Sequence, residues 1–293
     1  MNEQITISAL YDLNETIAAD IFKDCTYPWE VLAKIGDFIK ELGKTLPEDE
    51  YEQRAEDVWV AKSATVYPTA YINGPFSRFI KLLETLNYKF CFNVLNAVNY
   101  GVPQNRKRLV LLASKKYEIK FPDPKYGEGL RPFRVVRDAI GKYPPINQGT
   151  SSPNVQDHEA AKLSDLLLQR ISVLKPGEDR RSWPDELKLQ CHMNKKGHTD
   201  VYGRLDWDKP SVTLTTKCIS LSNGRFGHPT QNRALSAREA AAIQTFPDDF
   251  TFVGSVWEKG RQIGNAVPVL FAKELGKQII EVERENTKWK SKN

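Results

Sequence analysis

The sequence predicts an α/β protein: part of a Rossmann-like sheet domain interrupted by an irregular insert, behind a helical leader and a short strip of hexapeptide repeat. Three observations carry this. Continuous apolar runs of strand length alternate with helix-period segments in the second half. A long Pro-, Gly-, Lys- and Arg-rich stretch separates two such α/β blocks. Before residue 75 the hydrophobic period is different.

In the leader, Trp29, Leu32, Ile35, Phe38, Ile39 and Leu42 recur at three-to-four spacing, with Pro28 where a helix can begin, and Leu46-Pro-Glu-Asp-Glu50 ends the pattern. The period becomes six from Val60, through Val66 to Ile72, with small or turn residues between, as in β-helix coils. Less than one complete coil is present, which cannot bury its aliphatic face unaided. Phe79, Ile80, Leu83 and Leu86 then mark an amphipathic helix, and Tyr88–Leu95 and Arg108–Ala113 read as strands. From about Pro122 to Pro229 the chain is irregular apart from helical character at Glu159–Lys175. Regular structure returns at Ser236–Ile243, where Ser236 and Glu239 form a capping box, and at Val267–Val282. The expected divisions are 1–75, 76–122, 123–230 for the insert and 231–293.

Charge is unevenly distributed. Residues 1–75 hold 6 Lys+Arg against 14 Asp+Glu, and the remainder holds 36 against 23. A basic segment of that size suits a phosphate backbone. No stretch of about 18 apolar residues and no secretory start is evident, so a cytoplasmic location without membrane contact is expected. Cys25, Cys91, Cys191 and Cys218 lie far apart without a C-x-x-C pair, which indicates neither a disulfide framework nor a metal site.

Three motifs carry the chemistry. In Tyr100-Gly-Val-Pro-Gln-Asn-Arg-Lys-Arg108, alternate spacing puts Gln104, Arg106 and Arg108 on one side of an extended segment, where guanidinium groups suit a phosphate or a pyrimidine carbonyl. Arg233-Ala-Leu-Ser-Ala-Arg-Glu239 runs into Gln244-Thr-Phe-Pro-Asp-Asp249, and Gln262-Ile-Gly-Asn-Ala-Val-Pro268 follows. In this order the three resemble the closing motifs of DNA cytosine-5 methyltransferases, over residues 77–293. The resemblance implies that Arg108 helps hold the target cytosine, with Arg106 and Gln104 in support. It also implies that Asn265, Ala266 and Val267 edge the cofactor S-adenosylmethionine, and that the insert is a target recognition domain for double-stranded DNA. Basic, aromatic and hydroxyl side chains interleave in the insert, and Lys195, Lys196, Arg204, Lys217, Asn223 and Arg225 are its candidate DNA contacts, joined by Arg233 and Arg238 from the next motif.

The family's nucleophile is a cysteine after proline, its acid a glutamate in Glu-Asn-Val, and its cofactor turn a Phe-x-Gly-x-Gly. None of the three is present. The expectation is therefore a methyltransferase of restriction-modification type that is inactive alone: a fragment, a fusion, or one chain of a split enzyme completed by an N-terminal half. A DNA-binding module without catalysis is the alternative. A third reading rests on Tyr27-Pro-Trp-Glu30 and Pro68-Thr-Ala-Tyr-Ile-Asn-Gly-Pro75, which resemble the start of left-handed β-helix sugar-phosphate acetyltransferases and nucleotidyltransferases.

Overall fold

The computed structural model describes residues 6–32, 34–65, 77–189 and 201–290. The chain forms two compact units, Met1–Lys89 and Phe90–Asn293.

In the first unit, helix α1 (Ile7–Leu10) and three 3-10 turns between Leu13 and Val31 lead to α2 (Ile35–Thr45). The leader is thus a series of short turns followed by one true helix, because Asp24 adopts a left-handed φ of 62° and breaks the run before Pro28. Strands β1 (Tyr51–Ala55) and β2 (Val58–Ala61) pair antiparallel, Tyr51 opposite Ala61 and Ala55 opposite Val58. Val58 and Val60 point inward, and Gly43 of α2 gives the Trp59 ring its place: a Cβ there would lie 2.4 Å from the indole.

This hairpin corrects the hexapeptide expectation. A β-helix coil stacks its strands in parallel on neighbouring coils, whereas Val60 and Ala61, which open the strip, lie in β2 and pair antiparallel with the preceding β1 through a tight turn at Asp57. The acetyltransferase resemblance has no support in it. The rest of the strip, 66–75, lies outside the described residues. Helix α3 (Ser77–Thr85) follows, at the position its spacing predicts.

The second unit is built around β3 (Lys89–Asn96) and β4 (Lys107–Ser114), which pair in a two-stranded sheet. Their aromatic and aliphatic composition favours extended backbone. A 3-10 turn, Ala97–Tyr100, ends β3 and closes at Gly101, whose φ of 87° admits glycine readily and whose missing Cβ leaves room for the Tyr126 ring 2.9 Å away. The turn packs Ala97, Tyr100 and Val102 with Leu95 against Phe271 of the last helix.

The remaining elements are α4 (Val136–Ile140), α5 (Asp165–Ser172), α6 (Ala237–Ile243), α7 (Val256–Asn265) and α8 (Val269–Lys290). Helical character over 159–175 is confined to α5, which begins where Ser164 caps it. Helix α6 carries the predicted capping box: Ser236 Oγ accepts from Glu239 N, and Glu239 Oε2 accepts in turn from Ser236 N. Helix α7 carries a second, from Ser255 and Glu258, which sequence reading missed. Gly264 and Asn265 accordingly end α7, and residues 266–268 join helix to helix. The largest core takes Val136 and Ile140 from α4, Leu205, Leu214 and Ile219 from the insert, and Ala240, Ile243 and Ile263 from the closing helices. Insert and closing motifs thus share one interior.

Candidate functional site

The three motifs meet in a single hydrogen-bonded hub. Gln104 is fully buried: its Oε1 accepts from Leu214 N (3.0 Å) and its Nε2 donates to Gln244 Oε1 (3.0 Å). Arg106, only 7 % exposed, donates from Nη1 to Leu214 O (2.7 Å) and from Nη2 to Gly264 O (3.2 Å) and Ala266 O (3.5 Å). Gln244 Nε2 also donates to Ile263 O (2.7 Å) and Ala266 O. Three side chains from two motifs therefore tie the segment leading into β4, the insert segment at Leu214 and the α7–α8 turn together. The backbone adds to this, with Asn105 N bonded to Ser211 O and Ser211 N to Pro103 O.

Close approach at Gly264 completes the hub. A Cβ on it would stand 2.1 Å from Thr215 O, so only glycine lets α7 lie against the insert at that point. Burial, reinforced by the nearby Arg108 charge, lowers the Arg106 pKa. Its partners here are carbonyl oxygens, which satisfy the donors without neutralising the cation.

Arg108 behaves differently from its two predecessors. It is exposed at the start of β4, with Nη1 bonded to the adjacent Lys107 carbonyl. Asn265 and Val267 are also exposed, Val267 by 58 %, while Ala266 is half-buried and turns its carbonyl into the hub. The hub thus holds two presenting segments: one carries a guanidinium, the other an amide and an apolar side chain.

Several expected DNA contacts are instead structural. Arg204 is buried, and its five N–H groups go to the carbonyls of Leu174, His228, Gln231 and Ile171 and to Asn232 Oδ1. Burial lowers its pKa to about 10. Arg233 pairs bidentately with buried Glu239, both bonds 2.7 Å. Burial opposes ionisation of Glu239, yet these bonds overcome it and hold the carboxyl below its ordinary range. Arg238 serves the carbonyls of Gln156, Pro247 and Phe250 and reaches Asp157. Arg225 is engaged with Gly177 O and Asp179; burial raises the Asp179 pKa, but bonds from Arg181 and Arg225 dominate and bring it to about 2. These four arginines are removed from the DNA-contact set. Lys217 and Asn223 are exposed, and Lys195 and Lys196 lie outside the described residues.

Cys218 is buried with its thiol pushed up to about 12, Cys91 sits in β3 with its thiol raised by burial, and Cys25 belongs to the first unit. Gln244 is a site residue that sequence reading did not single out. Its signal was the spacing Glu239-x4-Gln244-Thr-Phe-Pro, which places the amide at the end of a capped helix.

Comparison with known proteins places this hub in a family. The C-5 cytosine-specific DNA methylase profile matches residues 71–281. The chain belongs to that family. The methylase match spans β3, β4, the insert and the closing helices, so every hub residue lies inside it. Among curated relatives, the type II methylase M.HgiDII of Herpetosiphon aurantiacus is 42% identical over 210 residues, covering 70% of this chain and 59% of its own. The type II methyltransferase M1.HphI of Haemophilus parahaemolyticus is 39% identical over 200 residues, covering 68% and 50%. The chain thus spans between half and three-fifths of the length of these relatives. Among solved structures it is similar to Dnmt2 methyltransferase of S. pombe, at 17% identity and a TM-score of 0.38 over 70% of this chain and 60% of that one. No helix among the described residues is long and apolar enough to cross a membrane.

Proposed function

We propose that this chain is the DNA-recognising and closing part of a cytosine-5 methylation system of restriction-modification type, working in the cytoplasm on double-stranded DNA. The hub carries the reading: Gln104, Arg106 and Gln244 lock the insert to the α7–α8 turn while leaving Arg108, Asn265 and Val267 on the surface. Arg108 offers planar, permanently charged donors to the carbonyl oxygen of an extruded cytosine. Lys217 contacts phosphate and Asn223 a base edge, both from exposed positions on the insert.

S-adenosylmethionine supplies the methyl group in such a system. An exposed amide and an exposed valine beside a helix start fit the edge of a cofactor site, and Asn265, Ala266 and Val267 are the residues that would touch it. They do not by themselves form an enclosing cradle, so the main cofactor loop is assigned to another polypeptide segment, together with the thiolate that attacks cytosine C6. The reading of this chain as inactive alone follows from that assignment: without the covalent step, C5 is not activated, and recognition cannot replace many orders of magnitude of rate.

The test is methyl transfer from labelled S-adenosylmethionine to duplex DNA, by the chain alone and by the chain mixed with the portion of M.HgiDII that the match leaves uncovered. Transfer by the mixture only is the expected result. Transfer by the chain alone would overturn the assignment of the nucleophile to another segment. Salt-sensitive DNA binding with no transfer in either arm would favour a recognition module without catalysis.

A further inference from the structure

A cavity of about 610 Å³ lies in the second unit between residues 145–148, early in the insert, Leu168 of α5, and residues 231–233, which lead into α6. Ile146 and Leu168 give it an apolar wall, and most of the rest is carboxamide: Asn147, Gln148, Gln231 and Asn232. Among the described residues neither a carboxylate nor a hydroxyl lines it. The two sides are fixed to each other, because Gln231 Oε1 accepts from Ile146 N (3.1 Å) and from Nε of the buried Arg233 (2.9 Å).

Two of these amides are held one way round. Gln148 Oε1 accepts from Leu163 N (2.8 Å), and Asn232 Oδ1 accepts from Arg204 Nη2. Each of those bonds requires the oxygen, so the –NH₂ is the end left for the cavity, and neither Gln148 Nε2 nor Asn232 Nδ2 has a partner among the described residues. Arg204 is a buried cation bonded to carbonyl oxygens, and its pull on the Asn232 carbonyl strengthens the N–H groups of the same amide as donors. Gln231 is already spent, since its Nε2 lies 3.2 Å from His228 Nε2. Asn147 is not pinned and can turn either way.

We propose that this cavity takes the N7/O6 edge of a guanine, with Gln148 and Asn232 as the residues that select it. Guanine puts two acceptors side by side on that edge, whereas adenine sets an amino group beside N7, cytosine offers an amino group, and thymine offers one acceptor beside a methyl. Two oriented amino groups match the first and leave an unpaired or opposed donor with each of the others. A phosphate is a poorer fit, because it calls for a cation, and the guanidinium groups nearby are committed to carbonyls and to Glu239. The apolar wall of Ile146 and Leu168 suits the face of a planar ring. The source of the guanine rests on the reading above, in which the insert recognises double-stranded DNA. A free guanine nucleotide carries the same edge, and the two sources are separated by experiment.

Random-sequence duplexes enriched on the full chain are re-amplified with 7-deazaguanine, which lacks the N7 acceptor, or with hypoxanthine, which keeps N7 and O6, and binding is compared by mobility shift. Binding about tenfold weaker with 7-deazaguanine, and little changed with hypoxanthine, is expected. Asn232→Asp and Gln148→Glu keep the inward bonds and turn the free donors into acceptors, so each should weaken binding of the guanine duplex and erase its dependence on N7, with the melting temperature of the parent. In a second arm, guanosine monophosphate and its 7-deaza analogue are titrated calorimetrically into the same chains. Dependence on N7 in the nucleotide arm but not in the duplex arm supports the guanine site and removes DNA as its source. Indifference to 7-deazaguanine in both arms, or variants that weaken every ligand equally, would overturn the proposal. Failure to enrich any duplex would sink the functional reading, while the nucleotide arm judges the cavity separately.

Discussion

Replacing Arg106 by alanine tests whether the hub is a structural lock. The guanidinium makes two well-formed bonds to buried carbonyls, 2.7 Å to Leu214 O and 3.2 Å to Gly264 O, and a third at 3.5 Å that is too long to count for much. Charged donors to carbonyls contribute about 1.5–3 kcal/mol each, which gives roughly 3–6 kcal/mol for the pair. Removing the cation also relieves the burial that lowers its pKa, so part of this is recovered. A net loss of about 2–4 kcal/mol is expected, equivalent to a fall of roughly 5–15 °C in melting temperature for a unit of this size. Urea denaturation followed by fluorescence of the tryptophans in the second unit gives the magnitude. Hydrogen exchange at the Leu214 and Val269 amides gives the location, because those bonds run to Gln104 and Gln244. A loss below about 0.5 kcal/mol, with unchanged protection at Leu214, would refute the lock. Arg108→Ala provides the contrast: stability within about 0.5 kcal/mol of the parent, as for exposed sites, with methyl transfer lost in the complemented system.

Gly264→Ala must displace the Thr215 carbonyl or the helix, and a destabilisation of about 1–3 kcal/mol by urea titration is expected; a neutral effect would mean the α7–insert contact yields freely. Lys217→Ala should weaken DNA binding uniformly across sequences and reduce the salt slope of log K by about one, with thermal melting unchanged. Stability should fall in acid through His228. Burial lowers its pKa from 6.5 to about 4, outweighing Glu239, which pulls it up, and Arg233 and Arg204 assist the lowering. The unfolded chain therefore takes up the proton first: the contribution is complete above pH 6.5 and is lost as pH falls towards 4, on the order of 3 kcal/mol in all. His228→Gln should flatten that window, leaving the separate loss at lower pH as Glu239, whose folded pKa is depressed, is protonated.

What could be read in the sequence was whatever is fixed by neighbours along the chain. The capping box at Ser236 and Glu239, the strands at β3 and β4 and the helix over α3 depend on spacings of two to four residues, and all are in place. The destination of an arginine is not local. Arg204 and Lys217 stand in equally basic, aromatic-flanked stretches, yet Arg204 serves carbonyls as far away in sequence as Ile171, 33 residues off, and Lys217 faces water. The six-residue period at Val60 misled for a related reason. A single inward valine, Val60, on an antiparallel hairpin looks the same in sequence as the opening of a parallel coil, and only the partner strand β1 tells them apart. In the hub, Gln104 and Arg106 could be read as a same-side pair, whereas their partners at Leu214, Gln244 and Gly264 lie more than a hundred residues downstream.

The carbonyl cages around Arg106 and Arg204 bear on how the protein attracts nucleic acid. Each holds a full positive charge inside the second unit, bonded to carbonyl oxygens and with no carboxylate partner among the described residues. Such charges add to the positive potential that the second unit presents to a polyanion without placing a donor at its surface, so they bear on long-range steering at low salt rather than on contact, and added salt screens their reach as it does that of the surface lysines.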